Sequence, residues 1–148
     1  MKELNLQAVR ELIQAYLEKA RKKLEVAKKL LDLGEFEDSV SRAYYAVFHA
    51  AQALLLSEGQ KAESHKGVIT LFSLLFVKTG KMDKKFGKYL TDLKDNRETC
   101  DYELFAYAEA ESSQRALQEA EAFVTETEIY LTDVLKGGVG AEGTKTQE

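Results

Sequence analysis

The sequence has no proline, no tryptophan, one cysteine and two histidines among its 148 residues. Because proline removes a backbone donor and clashes inside a helix, its absence favours long helices. Cys100 cannot form an internal disulfide, and such a chain is typical of a reducing compartment, so we expect a cytoplasmic protein. His49 and His65 show no zinc-ligand spacing with each other or with a cysteine pair. We therefore expect no metal and no cofactor.

Long apolar runs and the common enzyme signatures are missing too. No apolar stretch approaches the roughly 18 residues that a membrane span needs, and the first residues alternate charged and apolar side chains, unlike a signal peptide. The chain has no Gly-x-Ser-x-Gly elbow and no glycine-rich strand–helix turn. Its carboxylates are scattered, so no glycosidase-like pair can be selected. We expect no membrane partner.

Helical periodicity is what the sequence does contain. Apolar residues recur at steps of three and four, and glycines or capping residues separate the periodic segments. The pattern predicts one domain over 1–136, an all-α, antiparallel up-and-down bundle of four to five helices, followed by a flexible glycine-rich tail at 137–148. We predict helices at Leu6–Leu33, Glu35–Glu58, His65–Lys78, 84–101 and Glu109–Lys136, with caps at Ser64 and Asp83 and an irregular join at Glu103–Tyr107.

Charge is distributed unevenly along this acidic chain. The segment Lys61–Arg97 carries a charge of +5 while the whole chain carries −4. Such a basic segment can attract phosphate groups, although a solvated lysine-rich helix face gives the same pattern. The lysines that we consider for electrostatic attraction are Lys81, Lys84, Lys85 and Lys88.

The second predicted helix has two distinct faces. Phe36, Val40, Ala43, Val47, Ala51 and Leu54 share one side of a helical projection, which we expect to be the core. Arg42, Tyr45, His49, Gln52 and Leu56 share another, here called the seam. A narrow stripe of this mixed polar and aromatic character suits a subunit interface or a cleft wall. We therefore predict a homodimer that packs partly through the seam.

The stretch LKDNRETCDY at 93–102 places Arg97 four residues before Asp101 and five before Tyr102. Together with upstream motifs, it resembles the HEPN family, the small "higher eukaryotes and prokaryotes nucleotide-binding" helical domains. The resemblance covers Leu17–Leu131, and its order and spacing are more specific than any one piece. The motifs are Tyr44-Tyr45, Phe48-His49-Ala50, Ser64-His65-Lys66-Gly67, Leu71-Phe72, Arg97 with Asp101-Tyr102, Ala122-Phe123 and Tyr130-Leu131.

The resemblance implies a bundle of four or five helices, frequent dimerisation and pairing with a minimal nucleotidyltransferase in toxin–antitoxin modules. Many members are metal-independent ribonucleases that use an arginine followed by a histidine. Arg97 matches that arginine, but Tyr102 stands where the histidine belongs. A tyrosine, with an ordinary pKa of about 10, is a poor general base near neutral pH. The substitution favours binding of RNA or nucleotide over cleavage.

Three functions remain open at this stage. The first is RNA or nucleotide binding by Arg97, Asp101, His65 and Lys66 with the lysines Lys84, Lys85 and Lys88. The second is a ribonuclease toxin with an altered motif, with Arg97 and Tyr102 as its catalytic residues. The third is a protein-interaction scaffold without a nucleotide role.

A structural role for Arg97 is also open, because residues four apart on a helix can form an ion pair. Arg42 and His49 also read as arginine, six residues, histidine, but on the wrong helix for the family motif.

Overall fold

A computed structural model describes the backbone of residues 2–102 and 109–142 and the side chains of residues 6–101 and 109–136. All regular secondary structure in these ranges is helical, which confirms the predicted all-α bundle. The helices are α1 (Lys2–Asp32), α2 (Phe36–Ser57), α3 (His65–Phe72), α4 (Lys84–Tyr102) and α5 (Ala110–Glu142).

Two glycines end the first two helices in the same way. Gly34 has a φ of 79°, and its amide donates to Leu31 while the next amide donates to Leu30. Gly59 ends α2 with the same pair of hydrogen bonds. A residue in this left-handed conformation closes a helix by satisfying its last carbonyls, and glycine adopts it without a Cβ penalty. The chain therefore reverses direction sharply between α1 and α2.

Side-chain caps begin the next two helices, as predicted. The Ser64 hydroxyl accepts from the Gly67 amide at 2.9 Å, and an Asp83 carboxylate oxygen accepts from the Lys85 amide at 2.9 Å. Each cap satisfies a backbone donor that has no partner inside the helix. The Ser64 cap fixes the direction of the first turn of α3 and hence the position of His65.

Three features of the observed helices differ from the predictions. Helix α1 begins at Lys2, four residues before the predicted start at Leu6. The third helix is not uniform, because α3 continues into a π-helical segment, Ser73–Val77, where the Lys78 amide donates to Ser73. Helix α5 runs on to Glu142, so its backbone extends into the stretch predicted as a tail. The predicted join at Glu103–Tyr107 and the last six positions lie outside the described residues, and the flexible tail stays a prediction.

Helix α2 lies at the centre of the bundle and packs against all four other helices. Its predicted core face is buried at Val40, Ala43, Val47, Ala51 and Leu54. Additional alanines of α2 are also fully buried, since their small side chains allow helices to approach on several sides. The tyrosines of α2 consequently lie between neighbouring helices. In the described ranges, no helix is both long and apolar enough to cross a membrane.

Candidate functional site

The centre of the candidate site is Arg97, on α4 where this helix crosses α2. Its guanidinium carbon lies 5.4 Å from the ring centroid of Tyr44 and 5.4 Å from that of Tyr45. Only 11% of the Arg97 side chain is exposed. A guanidinium over aromatic faces is held by cation–π attraction, which strengthens as water is removed. Two neighbouring tyrosines of α2 therefore hold this cation in one orientation.

Arg97 uses few of its hydrogen-bond donors within the described part of the chain. Its Nη1 atom donates to Asp101 Oδ2 at 2.9 Å, the predicted pairing of residues four apart. The Nε atom is buried and has no partner among the described residues. A guanidinium carries five N–H donors in a planar fork that matches a carboxylate or a phosphate. The Asp101 contact thus leaves donor capacity for an anion.

His65 connects α3 to the same tyrosine. Its Nδ1 atom lies 2.6 Å from the Tyr44 hydroxyl oxygen, and Tyr44 is completely buried. The imidazole stacks on the Phe48 ring with centroids 4.4 Å apart and an interplanar angle of 17°. Arg97 and His65 therefore lie against one aromatic group. We call Tyr44, Tyr45, Phe48, His65 and Arg97 the Arg97 site.

Burial and positive charge determine the protonation of this site. Burial, followed by the charges of Arg97 and Lys94, holds the pKa of His65 below its ordinary value. Burial also raises the pKa of Tyr44. The imidazole is thus neutral and the phenol protonated at neutral pH, because low-dielectric surroundings disfavour a charge on either group. The cations that act on this imidazole are Arg97 and Lys94, and they are paired with Asp101 and Glu98 respectively.

The seam begins at the Arg97 site and divides into an upper part, Tyr45 and His49, and a lower part, Gln52 and Leu56. Tyr45 and His49 have ring centroids 6.5 Å apart, and His49 stacks on Tyr16 of α1 at 6.1 Å. Tyr16 also borders a small cavity with Gln52 and Leu56, so this lower part of the seam is partly covered within the chain. The other predicted interface residue, Arg42, is exposed near the start of α2.

His49 differs from His65 in its partners. Its Nδ1 atom is buried and has no hydrogen-bond partner among the described residues. Burial, followed by the charges of Lys19 and Lys23 on α1, lowers the pKa of His49 to about 4. His49 is therefore neutral in the folded protein at neutral pH. Its ring reaches the Arg97 guanidinium only through other aromatic rings among the described residues, by way of Tyr45 or of Phe48 and Tyr44.

The predicted lysines do not gather around Arg97. Lys84, Lys85 and Lys88 precede it on α4 by nine or more residues, which is about 14 Å or more along a helix rising 1.5 Å per residue. Lys88 lies on the opposite side of α4 and pairs with Asp92 at 2.7 Å. Lys85 lies over the Phe86 ring. These lysines form a separate basic surface. Lys81 pairs with Glu58 at 2.6 Å, again away from the site.

Two contributors were not singled out from the sequence. Lys94 lies three residues before Arg97, on the same helix face, and its ammonium donates to Glu98 at 2.7 Å. This spacing was readable from the sequence. Tyr44 was not among the predicted site residues, because no sequence signal pairs it with a histidine 21 residues away. Lys66 is exposed beside His65. Tyr102 is the last residue of α4, and its side chain lies outside the described residues.

The HEPN domain model matches residues 13–130, most of the chain and all of the elements that form the Arg97 site. The chain belongs to the HEPN family. HEPN relatives have matching lengths as well as sequences. The chain is 38% identical over 135 residues to a Methanocaldococcus jannaschii protein named "Putative toxin MJ0605", covering 91% of this chain and all of that protein. A second protein of that organism, "Putative toxin MJ0142", is 32% identical over 93% of the chain and 94% of its own length.

One further relative supports the assignment, and one solved structure agrees with the fold. A UPF0332 protein of Thermotoga maritima is 35% identical over 84% of this chain and 94% of its own length. The crystal structure of TT1696 from Thermus thermophilus has the same fold, with a TM-score of 0.70 at 21% identity. The match covers 80% of this chain and 98% of that one. In the described parts of this HEPN protein, no three His, Cys, Asp or Glu side chains are grouped to hold a metal ion.

Proposed function

We propose that this HEPN protein binds RNA or a nucleotide through phosphate contacts at Arg97. The observation that carries the proposal is the guanidinium itself: it is 11% exposed, held against two tyrosine rings, and bonded to a single carboxylate oxygen within the described residues. Arginine in a fixed orientation is suited to bidentate recognition of phosphate. The adjacent Tyr45 and Phe48 rings offer aromatic surface on which a base can stack.

A second candidate function, RNA cleavage, is favoured by the names of two relatives as toxins and by His65 near the arginine. Tyr102 argues against efficient cleavage, because the family's ribonucleases have a histidine at this position of the motif. Cleavage without a metal needs a group that accepts a proton near neutral pH. The expected result is that purified protein in a chelating buffer leaves RNA intact. Cleavage that Arg97→Ala abolishes would establish the ribonuclease instead.

We further propose a homodimer that packs partly through the upper part of the seam, at Tyr45 and His49. Both rings are half-buried; Tyr45 belongs to the Arg97 site and His49 borders it, so a second copy docked here would bring its own Arg97 towards the first. Tyr45→Glu with His49→Glu should halve the mass in sedimentation equilibrium. Gln7→Glu with Gln14→Glu, both exposed on α1, adds the same charge elsewhere and is the matched control. An unchanged mass in the double variant argues against this interface.

A minimal nucleotidyltransferase is the proposed protein partner, in a module of the toxin–antitoxin type. The support is membership of the HEPN family and the toxin names of the relatives. A gene for such an enzyme next to the gene for this chain, and a stable complex when the two are produced together, are the expected findings. A well-behaved nucleotidyltransferase neighbour that fails to associate in gel filtration would contradict this part of the proposal.

Salt-dependent RNA binding tests the proposed function directly. We expect a labelled single-stranded RNA of about 12 nucleotides to bind. A plot of log affinity against log salt concentration should fall with a slope of roughly 0.7 for each phosphate contacted. Fluorescence anisotropy measures the affinity and its dependence on salt. Arg97→Ala should weaken binding and reduce the slope by about one contact. A competing mononucleotide distinguishes nucleotide binding from RNA binding. Binding that is absent or insensitive to salt contradicts the proposal.

A further inference from the structure

The hydrogen bond between Tyr44 and His65 constrains the proton on the imidazole. Tyr44 is 0% exposed, and His65 Nδ1, at 2.6 Å, is the partner of its hydroxyl within the described residues. A buried hydroxyl that does not donate costs about 1–3 kcal/mol. If Nδ1 carried the proton and donated to the phenol oxygen, the Tyr44 O–H would lose its acceptor. The hydroxyl therefore donates to Nδ1.

A neutral imidazole that accepts at Nδ1 carries its single proton on Nε2. Several groups around the ring oppose a second proton. Arg97 and Lys94 on α4 repel a positive charge, and burial acts in the same direction, while Glu98 alone favours the charge. The face of the ring is stacked on Phe48, which prevents it from turning over freely. His65 thus has a fixed tautomer, with an N–H donor on the edge away from Tyr44.

The imidazole and the Arg97 guanidinium share one neighbour, the Tyr44 ring. Both groups contact the Tyr44 ring, with the guanidinium carbon 5.4 Å and the imidazole centroid 5.5 Å from the same ring centroid. They are therefore at most about 11 Å apart, a span that one phosphodiester with its sugar can bridge. The Ser64 cap holds His65 at the first position of α3, where amide N–H groups also favour an anion.

We propose that Tyr44 fixes His65 as a neutral Nε2–H donor, and that this donor and Arg97 bind the phosphodiester group of the same RNA strand. The inference rests on the proposed function and specifies the chemistry of its site. A histidine with Nε2 protonated and Nδ1 occupied cannot take a proton from a ribose hydroxyl. The Tyr44 contact therefore makes His65 a binding residue and not a general base.

Nitrogen-15 NMR of the imidazole rings tests the tautomer. With only two histidines in the chain, His49→Gln assigns the His65 signals. We expect the neutral pattern with Nε2 protonated at pH 7.5, and a mixture of tautomers in Tyr44→Phe, which keeps the ring and removes the hydroxyl. An Nδ1-protonated ring in the unmodified protein, or an unchanged pattern in Tyr44→Phe, overturns the inference.

Two substitutions at position 65 test the donor in RNA binding. Glutamine places an amide N–H near the Nε2 position, whereas asparagine places it near Nδ1. We expect His65→Gln to keep the affinity for the single-stranded RNA within about threefold, and His65→Asn to weaken it about tenfold. Thermal unfolding midpoints of the two variants verify that both are folded. Equal losses in both variants overturn the donor role.

The failures of the two proposals are distinguishable. A protein that binds no RNA contradicts the proposed function and the role of His65 in it. Wild-type binding that depends on Arg97, but survives His65→Asn unchanged, leaves the proposed function in place and removes His65 from the site.

Discussion

Arg21 and Arg97 both pair with a carboxylate, yet they lie on different faces of the bundle in different environments. Arg21, on α1, binds Glu128 of α5 with two hydrogen bonds of 2.6 and 2.9 Å and also donates to Thr125. Its side chain is 44% exposed. Arg97 is 11% exposed and makes a single bond, to Asp101 on its own helix. The first arginine links two helices, and the second is held in place by tyrosine rings.

The difference shows how burial and donor use separate a structural arginine from a candidate ligand-binding one. The fork of Arg21 is already occupied by a bidentate carboxylate, so an incoming phosphate would have to displace it. An exposed pair of this kind contributes about 0–1 kcal/mol to stability. The Arg97 guanidinium has lost most of its water without gaining an equivalent partner among the described residues. An anion bound at Arg97 would replace the water molecules that the guanidinium loses on burial.

Removing each arginine in turn is the strongest test of this contrast. Arg97→Ala should weaken RNA binding about 10- to 100-fold, the range expected for a charge-assisted hydrogen bond. Arg21→Ala, the matched control, should change the affinity less than twofold and lower the free energy of unfolding by about 1 kcal/mol or less. Anisotropy and thermal unfolding measure the two effects. Equal losses of RNA affinity in both variants would erase the distinction.

Replacing Arg97 by lysine separates charge from geometry. Arg97→Lys keeps the positive charge but loses the planar fork and the stacking on Tyr44 and Tyr45. We expect about a tenfold loss of RNA affinity, with a salt slope close to that of the unmodified protein. Arg21→Lys should have no effect on binding. Full RNA affinity in Arg97→Lys would mean that a point charge suffices and that the tyrosine rings do not orient the site.

Acidification should lower the free energy of unfolding through His49, a residue of the seam. The pKa of His49 is about 4 in the folded protein and about 6.5 in an unfolded chain. Above pH 6.5 both states are neutral and the difference contributes nothing. Below it the unfolded state takes up a proton first, so stability falls as pH drops from 6.5 towards 4.

Because His49 is only partly buried, we expect this loss to be about 1 kcal/mol. Denaturant unfolding at pH 7 and pH 5 measures it. His49→Gln should reduce the difference between the two pH values, while Arg21→Ala should leave it unchanged. If His49→Gln and the unmodified protein lose the same stability on acidification, another group is responsible.

Asp101 provides the smallest expected effect. Its carboxylate occupies one donor of Arg97, so Asp101→Asn should increase RNA affinity by about two- to threefold at low salt. The opposite change, a clear loss of affinity, would indicate that the ion pair positions the guanidinium for its ligand. Glu128→Gln at the Arg21 pair is the control and should leave RNA affinity unaltered, because that pair lies on the α1–α5 face.

Local features of the fold were predictable because they depend on neighbours in sequence. Gly34 and Gly59 end helices through hydrogen bonds that span five residues or fewer. The Ser64 and Asp83 caps act over two or three residues. The π-helical segment at Ser73–Val77 was not predicted, because its apolar pattern does not differ from that of an ordinary helix. The same limit applies to the end of α5, where glycines suggested a stop before Glu142.

The candidate site shows the same difference between contacts within one helix, which were predictable, and contacts between helices, which were not. The Arg97–Asp101 pair was predicted because it lies within one helix. Lys84, Lys85 and Lys88 were predicted to assist binding at Arg97, but helix geometry turns Lys88 to the opposite side and leaves Lys94 beside the site. No periodicity reports which of two adjacent tyrosines forms a hydrogen bond to another helix. The rings of Tyr44 and Tyr45 both contact His65, but it is the Tyr44 hydroxyl that bonds to it.

The helices, the family and the arginine on which the proposed function depends can all be recognised from the order of residues alone. Caps, glycines and apolar periodicity act through the nearest few residues, so they can be recognised in the sequence without knowledge of the fold. The side chains that surround that arginine could be identified only once the packing of the helices was known. Arg97, Tyr44 and His65 lie on three helices, and contacts between them depend on how those helices cross. Burial at that crossing then lowers the dielectric around the cation and shifts the pKa of His65, effects that linear order does not encode.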